Sequence, residues 1–194
     1  MADPRFDADV FEVDQLIRPI GNLYRVTARG MPVAFVRQKK LALKEDIGFY
    51  ADDGQTEELF RLKARQVLEL GGRYDVATTD GVLLGTLEKV FGKSLLRSTW
   101  RVLDGAGAEV ATVQERSLPV ALLRRVIDAV PYGEFIPILF HFTIDAGAQH
   151  LGDFTRSWGV RDKYTLDLST DTERVLDRRL AVALGVGLDA LQSR

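Results

Sequence analysis

Nine consecutive residues near the C-terminus, Leu180-Ala-Val-Ala-Leu-Gly-Val-Gly-Leu188, carry no polar side chain. The stretch before them, Arg174 to Arg179, is amphipathic, and a cap at Asp171 or Thr172 opens a helix predicted over Glu173 to Leu191. A helix that is apolar on every side has to be buried on every side. The run is too short to cross a bilayer, which takes about 20 residues, so protein rather than lipid has to surround it. Gly185 and Gly187 each cost about 1 kcal/mol of helix stability relative to alanine. That cost is understandable where surrounding walls press close.

The rest of the chain supplies such walls. Short strand-like runs recur, each followed by a polar turn with glycine and a second run: Tyr24–Gly30 into Val33–Lys39, Gly48–Gly54 into Glu58–Lys63, Tyr74–Gly81 into Leu83–Lys89, Trp100–Gly107 into Glu109–Glu115, and Phe142–Gly147 into His150–Thr155. The turn glycines at 30, 54, 81 and 107 are 24, 27 and 26 positions apart, and Gly147 follows 40 later. This is a hairpin repeat, with glycine supplying the positive φ that tight turns need. Opening strands alternate: Tyr24, Val26 and Ala28 oppose Arg25, Thr27 and Arg29, and Tyr164, Leu166 and Leu168 oppose Thr165, Asp167 and Ser169. Returning strands such as Leu83-Leu84 are less clean. With Tyr164–Leu168 and Val10–Val13 added, about twelve strands are expected.

So many sequential hairpins leave raw edges unless the sheet closes. Eight strands close around their own side chains, and a larger barrel has room inside. The expected fold is therefore mainly β: one domain over 1–194, with its core at about 24–191, built as a closed antiparallel barrel around the hydrophobic C-terminal helix. The alternative is an amphipathic helix lying on a β-sandwich. An additional helix is expected in the insertion, with Ser117 as N-cap, Pro119 in its first turn, Leu118, Ala121, Leu122 and Val126 at helical spacing, and Arg124, Arg125 and Asp128 facing away.

This order of elements resembles the LURP-one-related family, which groups with the phospholipid scramblases and the Tubby C-terminal domain. The resemblance is carried by Phe35–Leu43, Asp52–Glu58, Asp104–Val113 and Gly152–Asp167, and runs from about Tyr24 to Leu191. It implies a twelve-stranded barrel around a central helix. It also brings two functional associations, phosphoinositide-binding membrane tethers from the Tubby side and calcium-linked lipid movement from the scramblase side. The cysteine-rich segment and proline-rich arm of scramblases are missing from this sequence, as is an acidic loop at EF-hand spacing, which argues against lipid scrambling.

Composition narrows the chemistry. The chain has no cysteine, which excludes disulfides, thiolate metal ligation and thiol catalysis. Its two histidines, His141 and His150, flank one turn, lack partners at metal-ligand spacing, and read as surface or capping residues. Neither a metal nor a cofactor is expected. A net charge of -2 argues against nucleic acid as a partner. Gly85 and Gly92-Lys93-Ser94 mimic a P-loop, but six residues separate the glycines where four are required. The acidic N-terminus has no apolar leader region, so a cytoplasmic location is expected.

Basic clusters are the main functional hint. Arg37, Lys39, Lys40 and Lys44 form one, and Lys89, Lys93, Arg97 and Arg101 another, both at corresponding strand-to-strand junctions of the repeat. Arg37, Lys39, Lys40, Lys44, Lys93 and Arg97 are the candidates for contacting an anionic headgroup. The expected role is a non-enzymatic binding or scaffold module, peripheral to an anionic phospholipid surface or attached to a protein partner. The competing reading is an enzyme or small-ligand binder with a pocket at a barrel mouth. No catalytic residue is assigned.

Overall fold

The computed structural model describes residues 3–16, 22–39, 45–65, 72–90, 98–116, 141–157 and 163–192. Twelve strands are present: β1 (Val10–Leu16), β2 (Asn22–Ala28), β3 (Met31–Gln38), β4 (Asp46–Tyr50), β5 (Glu58–Ala64), β6 (Arg73–Thr78), β7 (Leu83–Val90), β8 (Thr99–Asp104), β9 (Glu109–Glu115), β10 (His141–Ala146), β11 (Gln149–Ser157) and β12 (Lys163–Asp167). Each pairs antiparallel with its neighbours in sequence, and β1 pairs with β12 to close the barrel. Closure leaves no free edge. The insertion that reads as a helix, 117–140, lies outside the described residues.

The repeat seen in the sequence has a structural counterpart. All five expected hairpins carry a register shift just before their turn: at Val26/Thr27, Phe49/Tyr50, Val76/Ala77, Val102/Leu103 and Ile144/Asp145. The pairings between successive hairpins show no such shift. A bulge adds one residue to one strand, which bends and twists the ribbon. Five bulges at the same level help curl the sheet into a cylinder. They also explain the imperfect alternation of the returning strands.

Four turns follow the expected glycine rule, with Gly30, Gly81, Gly107 and Gly147 at positive φ. The β4–β5 turn does not. There Gln55 takes the left-handed conformation, at φ 58, in place of Gly54. Asp52 organises that loop by accepting the backbone N–H groups of Thr56 and Glu57. These bonds hold the Asp52 carboxyl below its usual range, the Glu57 amide contributing most.

Inside the barrel runs α1 (Arg178–Gln192). Its hydrophobic side chains from Leu180 to Leu188 are each at most 1% exposed. Every strand contributes inward residues to the shell around it, Phe11, Tyr24, Val36, Phe49, Leu62, Val76, Leu87, Val102, Val113, Ile144, Phe154 and Leu166 among them. Phe6, from a short 3-10 turn at Pro4–Phe6, packs edge-on against Phe60 at a ring-centroid distance of 5.6 Å.

The helix starts later than expected. Arg174 sits at φ 53, which interrupts any helix running from Glu173. Asp177 is the cap in place of Asp171 or Thr172: its side chain accepts from Arg179 N at 2.8 Å and its carbonyl from Ala181 N at 2.9 Å. Asp171 instead accepts the N–H groups of Val175 and Leu176 and the buried Arg178 guanidinium, whose Nη1 lies 2.6 Å from Asp171 Oδ2. Arg178 Nη2 also reaches Asp9 Oδ1 at 2.9 Å, tying the helix start to the chain before β1.

At the other end, Asp189 accepts hydrogen bonds from two inward-facing tyrosines, Tyr24 at 2.7 Å and Tyr164. An acidic residue in the last helical turn opposes the macrodipole. Two hydroxyl donors offset that. Burial, reinforced by the Asp189 carboxylate, pushes the Tyr24 phenol far above its usual range, so it stays protonated and donating. Gln38 completes this end. It accepts from Asn22 at 2.7 Å and donates to Glu45 at 3.1 Å and to the Ala190 carbonyl at 3.5 Å.

The two helix glycines differ. A Cβ on Gly185 would lie 3.0 Å from the Phe154 ring, whereas one on Gly187 would meet Leu62 at an ordinary 3.6 Å. Gly187→Ala is therefore expected to raise stability by about 0.5–1 kcal/mol, and Gly185→Val to lower it by about 1–3 kcal/mol through overpacking, both read from denaturant unfolding midpoints. Tyr24→Phe and Tyr164→Phe should each cost about 1–3 kcal/mol, because each removes a donor from the half-buried Asp189 carboxylate.

Candidate functional site

With the interior filled, functional chemistry falls to the surface. The outer wall is largely a lattice of charged pairs. Glu88 lies between Arg73, at 2.6 Å, and Arg101, with both guanidiniums donating to it. Burial pushes the Glu88 carboxyl up, but the two arginines outweigh this and hold it below its usual range. Arg61 joins Asp46, at 2.8 Å, to Glu58, and its pKa is raised chiefly by the hydrogen bond to Glu58. Arg65 meets Asp75 at 2.8 Å, and Lys163 meets Asp14 at 3.5 Å. A wall of this composition, with an apolar inside, is the inverse of a barrel that faces lipid. No helix among the described residues is long and apolar enough to cross a membrane.

Two of the six candidate basic residues, Arg37 and Lys39, are among the described residues. Arg37 and Lys39 share the outer face at the end of β3. Arg37 is exposed, and its Nη1 donates to Gln55 at 3.1 Å. Lys39 is exposed too, with its amine 3.7 Å from Asp46. Lys40, Lys44, Lys93 and Arg97 lie outside the described residues. The second cluster does not form one patch among its described members. Lys89 pairs in register with Trp100 and holds its amine 5.7 Å from that ring's centroid on the inner side, while Arg101 pairs with Glu88 on the outer side. The pleat sends alternate residues to opposite faces, so clustering along the sequence did not become clustering in space. Trp100 is core, as expected; Trp158 lies outside the described residues. Gly85 sits inside β7 against Leu180; Gly92, Lys93 and Ser94 lie outside the described residues.

Residues 33–189 match the family model described as LURP-one-related. The chain belongs to this family. No curated protein and no solved structure gives a significant match. The match covers β3 through most of α1, so the wall carrying Arg37 and the helix that fills the barrel both lie within the LURP-one-related region.

The histidines of this LURP-one-related chain are more connected than their spacing suggests. His141 Nε2 lies 2.7 Å from one oxygen of Asp153, and His150 Nε2 lies 3.1 Å from the other. His150 Nδ1 also lies 2.9 Å from Asp145. The spacing hid this arrangement because the bulge at Ile144/Asp145 and the hairpin bring four separate positions onto one outer face. Among the described residues no group of three or more such side chains is placed to hold a metal ion. Beside this group lies a surface cavity of about 410 Å³ lined by Gln114, Glu115, Arg116, Thr143, Asp145 and His150. A second, of about 480 Å³, lies at the helix start, bordered by Asp3, Phe6, Arg174, Asp177, Arg178 and Arg179. There Arg174, Arg178 and Arg179 are each matched to an aspartate.

Both ring nitrogens of His150 face carboxylate oxygens, and both can donate only in the imidazolium form. Its pKa is raised, first by the hydrogen bond to Asp145 and then by Asp153. Burial pushes Asp153 up, but the histidine contacts prevail and hold it below its usual range. A raised histidine contributes stability below its unfolded pKa of about 6.5 and loses it as pH climbs through the higher folded value. His150→Gln is therefore expected to lose most stability relative to wild type below about pH 6.5, with the gap shrinking above neutrality, as measured by urea unfolding across pH.

Proposed function

We propose that this LURP-one-related domain is a non-enzymatic binding module that docks on anionic phospholipid surfaces through basic groups on its outer wall and at the strand junctions. The observation that carries this reading is the filled barrel. With α1 occupying the interior, a ligand has only the outside of the molecule to meet. An enzyme working from a barrel mouth would need free convergent polar groups there. At the end where α1 finishes, Tyr24, Tyr164, Gln38 and Asn22 are committed to Asp189, Glu45, the Ala190 carbonyl and one another.

Charge geometry supports the reading. The ends of β3 and β7 lie at the same end of the barrel, because alternate strands run up and down, and Lys40, Lys44, Lys93 and Arg97 follow those two strands in the sequence. Each basic group near an anionic surface contributes about 1 kcal/mol. A peripheral, cytoplasmic placement belongs to this proposal, as does a protein partner engaged by the same face. The test is flotation with vesicles containing an anionic phospholipid against neutral vesicles. Binding to the anionic vesicles should weaken several-fold when salt shortens the screening length and should fall in a Lys40→Gln/Lys44→Gln/Lys93→Gln/Arg97→Gln variant. Equal partitioning to both vesicle types at low salt would overturn the proposal.

A further inference from the structure

Among the described residues, two buried side-chain atoms have no hydrogen-bond partner, Arg178 Nε and Arg25 Nε. Arg178 is otherwise held by Asp171, Asp9 and backbone carbonyls. Arg25 has no such anchorage. Its guanidinium lies over the Phe35 ring, 5.5 Å from the centroid, on the outer face of β2–β3. The acidic residue opposite it in register, Asp14, is engaged with Lys163 at 3.5 Å. Glu12, one step along on the same face, accepts from the Thr27 hydroxyl at 3.3 Å.

Arg37 follows Phe35 by two positions on the same face, opposite Leu23. Arg25 and Arg37 are thus diagonal neighbours, about 7–8 Å apart at Cα, within joint reach of two long side chains. Arg37 uses one N–H on a neutral amide and meets no carboxylate among the described residues. Elsewhere on this wall Arg61, Arg65, Arg73 and Arg101 are all neutralised. Among the described residues, the β2–β3 face therefore presents two guanidiniums with no carboxylate at ion-pair distance, one of them lying over an aromatic ring.

We infer that Arg25 and Arg37 form an oxyanion subsite for a phosphomonoester group. A phosphomonoester carries about two negative charges near pH 7, matching the two guanidiniums, and its three terminal oxygens accept the forked donors of both. The inference rests on the proposed module reading and places its specificity on the side wall, where Arg25 is a residue the sequence did not single out. Lys39, already facing Asp46, contributes only general attraction.

The test compares wild type with Arg25→Gln/Arg37→Gln in flotation on phosphatidic acid vesicles, and in titration with soluble glycerol phosphate. Wild type is expected to prefer phosphatidic acid over phosphatidylserine. The double variant should bind phosphatidic acid roughly tenfold or more weakly. An Arg25→Lys/Arg37→Lys variant keeps both charges and the stem packed on Phe35, guarding against misfolding. It should still bind phosphatidylserine but lose the preference for the monoester. Loss confined to vesicles identifies a lipid headgroup as the source, and loss also with glycerol phosphate identifies a free phosphate compound; both support the subsite. Phosphatidic acid binding that is unchanged in both double variants overturns the subsite while leaving the module reading standing. A wild type that binds glycerol phosphate but no vesicle keeps the subsite and sinks the module reading.

Discussion

The burial of α1 on all sides is the constraint on which the rest of the architecture depends. A helix with side chains is about 10–12 Å across, wider than the interior an eight-stranded barrel leaves free. Twelve strands provide the girth, and closure between β1 and β12 provides the missing wall. The helix in turn supplies the core that the strands would otherwise lack, since a barrel this wide cannot fill itself with its own side chains. Helix and wall bury each other, which makes α1 as much a part of the core as the strands around it.

Enclosure in a protein wall makes the helix ends the difficult places, because backbone and charged groups there leave water. The start is held by Asp177 and by the buried Arg178 against Asp171 and Asp9. The finish is held by two tyrosine hydroxyls on Asp189 and by Gln38 on the Ala190 carbonyl. Polar groups sealed this way are expensive to leave unmet, and nearly all of those named at the two ends are bonded, Arg178 Nε being the exception. The inside of the molecule is therefore committed to structure, and on the outer wall most charges are met in pairs.

Much of this was legible in the chain. The hairpin spacing, the alternation of Tyr24, Val26 and Ala28, and the greasy run from Leu180 depend on local periodicity and on one-sided burial, and these survive folding unchanged. Errors arose where a single residue's conformation decided the matter. Gln55 took the turn conformation expected of Gly54, and Arg174 broke the helix expected from Glu173. The candidate site was less legible. Lys89 and Arg101 look clustered but face opposite ways across a pleated sheet, and the link from His141 and His150 to Asp153 depends on a bulge and a cross-strand register.

The sequence by itself determined the repeat, the strand number and the need for an enclosing wall, because apolar periodicity and an all-round apolar helix admit few packings. The tertiary structure decided which charges are spent and which are free. A carboxylate's partner depends on strand register and facing, and these are set only when distant segments pair. Arg25 and Arg37 are ordinary arginines in the chain; the β2–β3 hairpin makes them neighbours, and the pairing of β1 with β2 and β12 decides that Asp14, opposite Arg25, is engaged with Lys163.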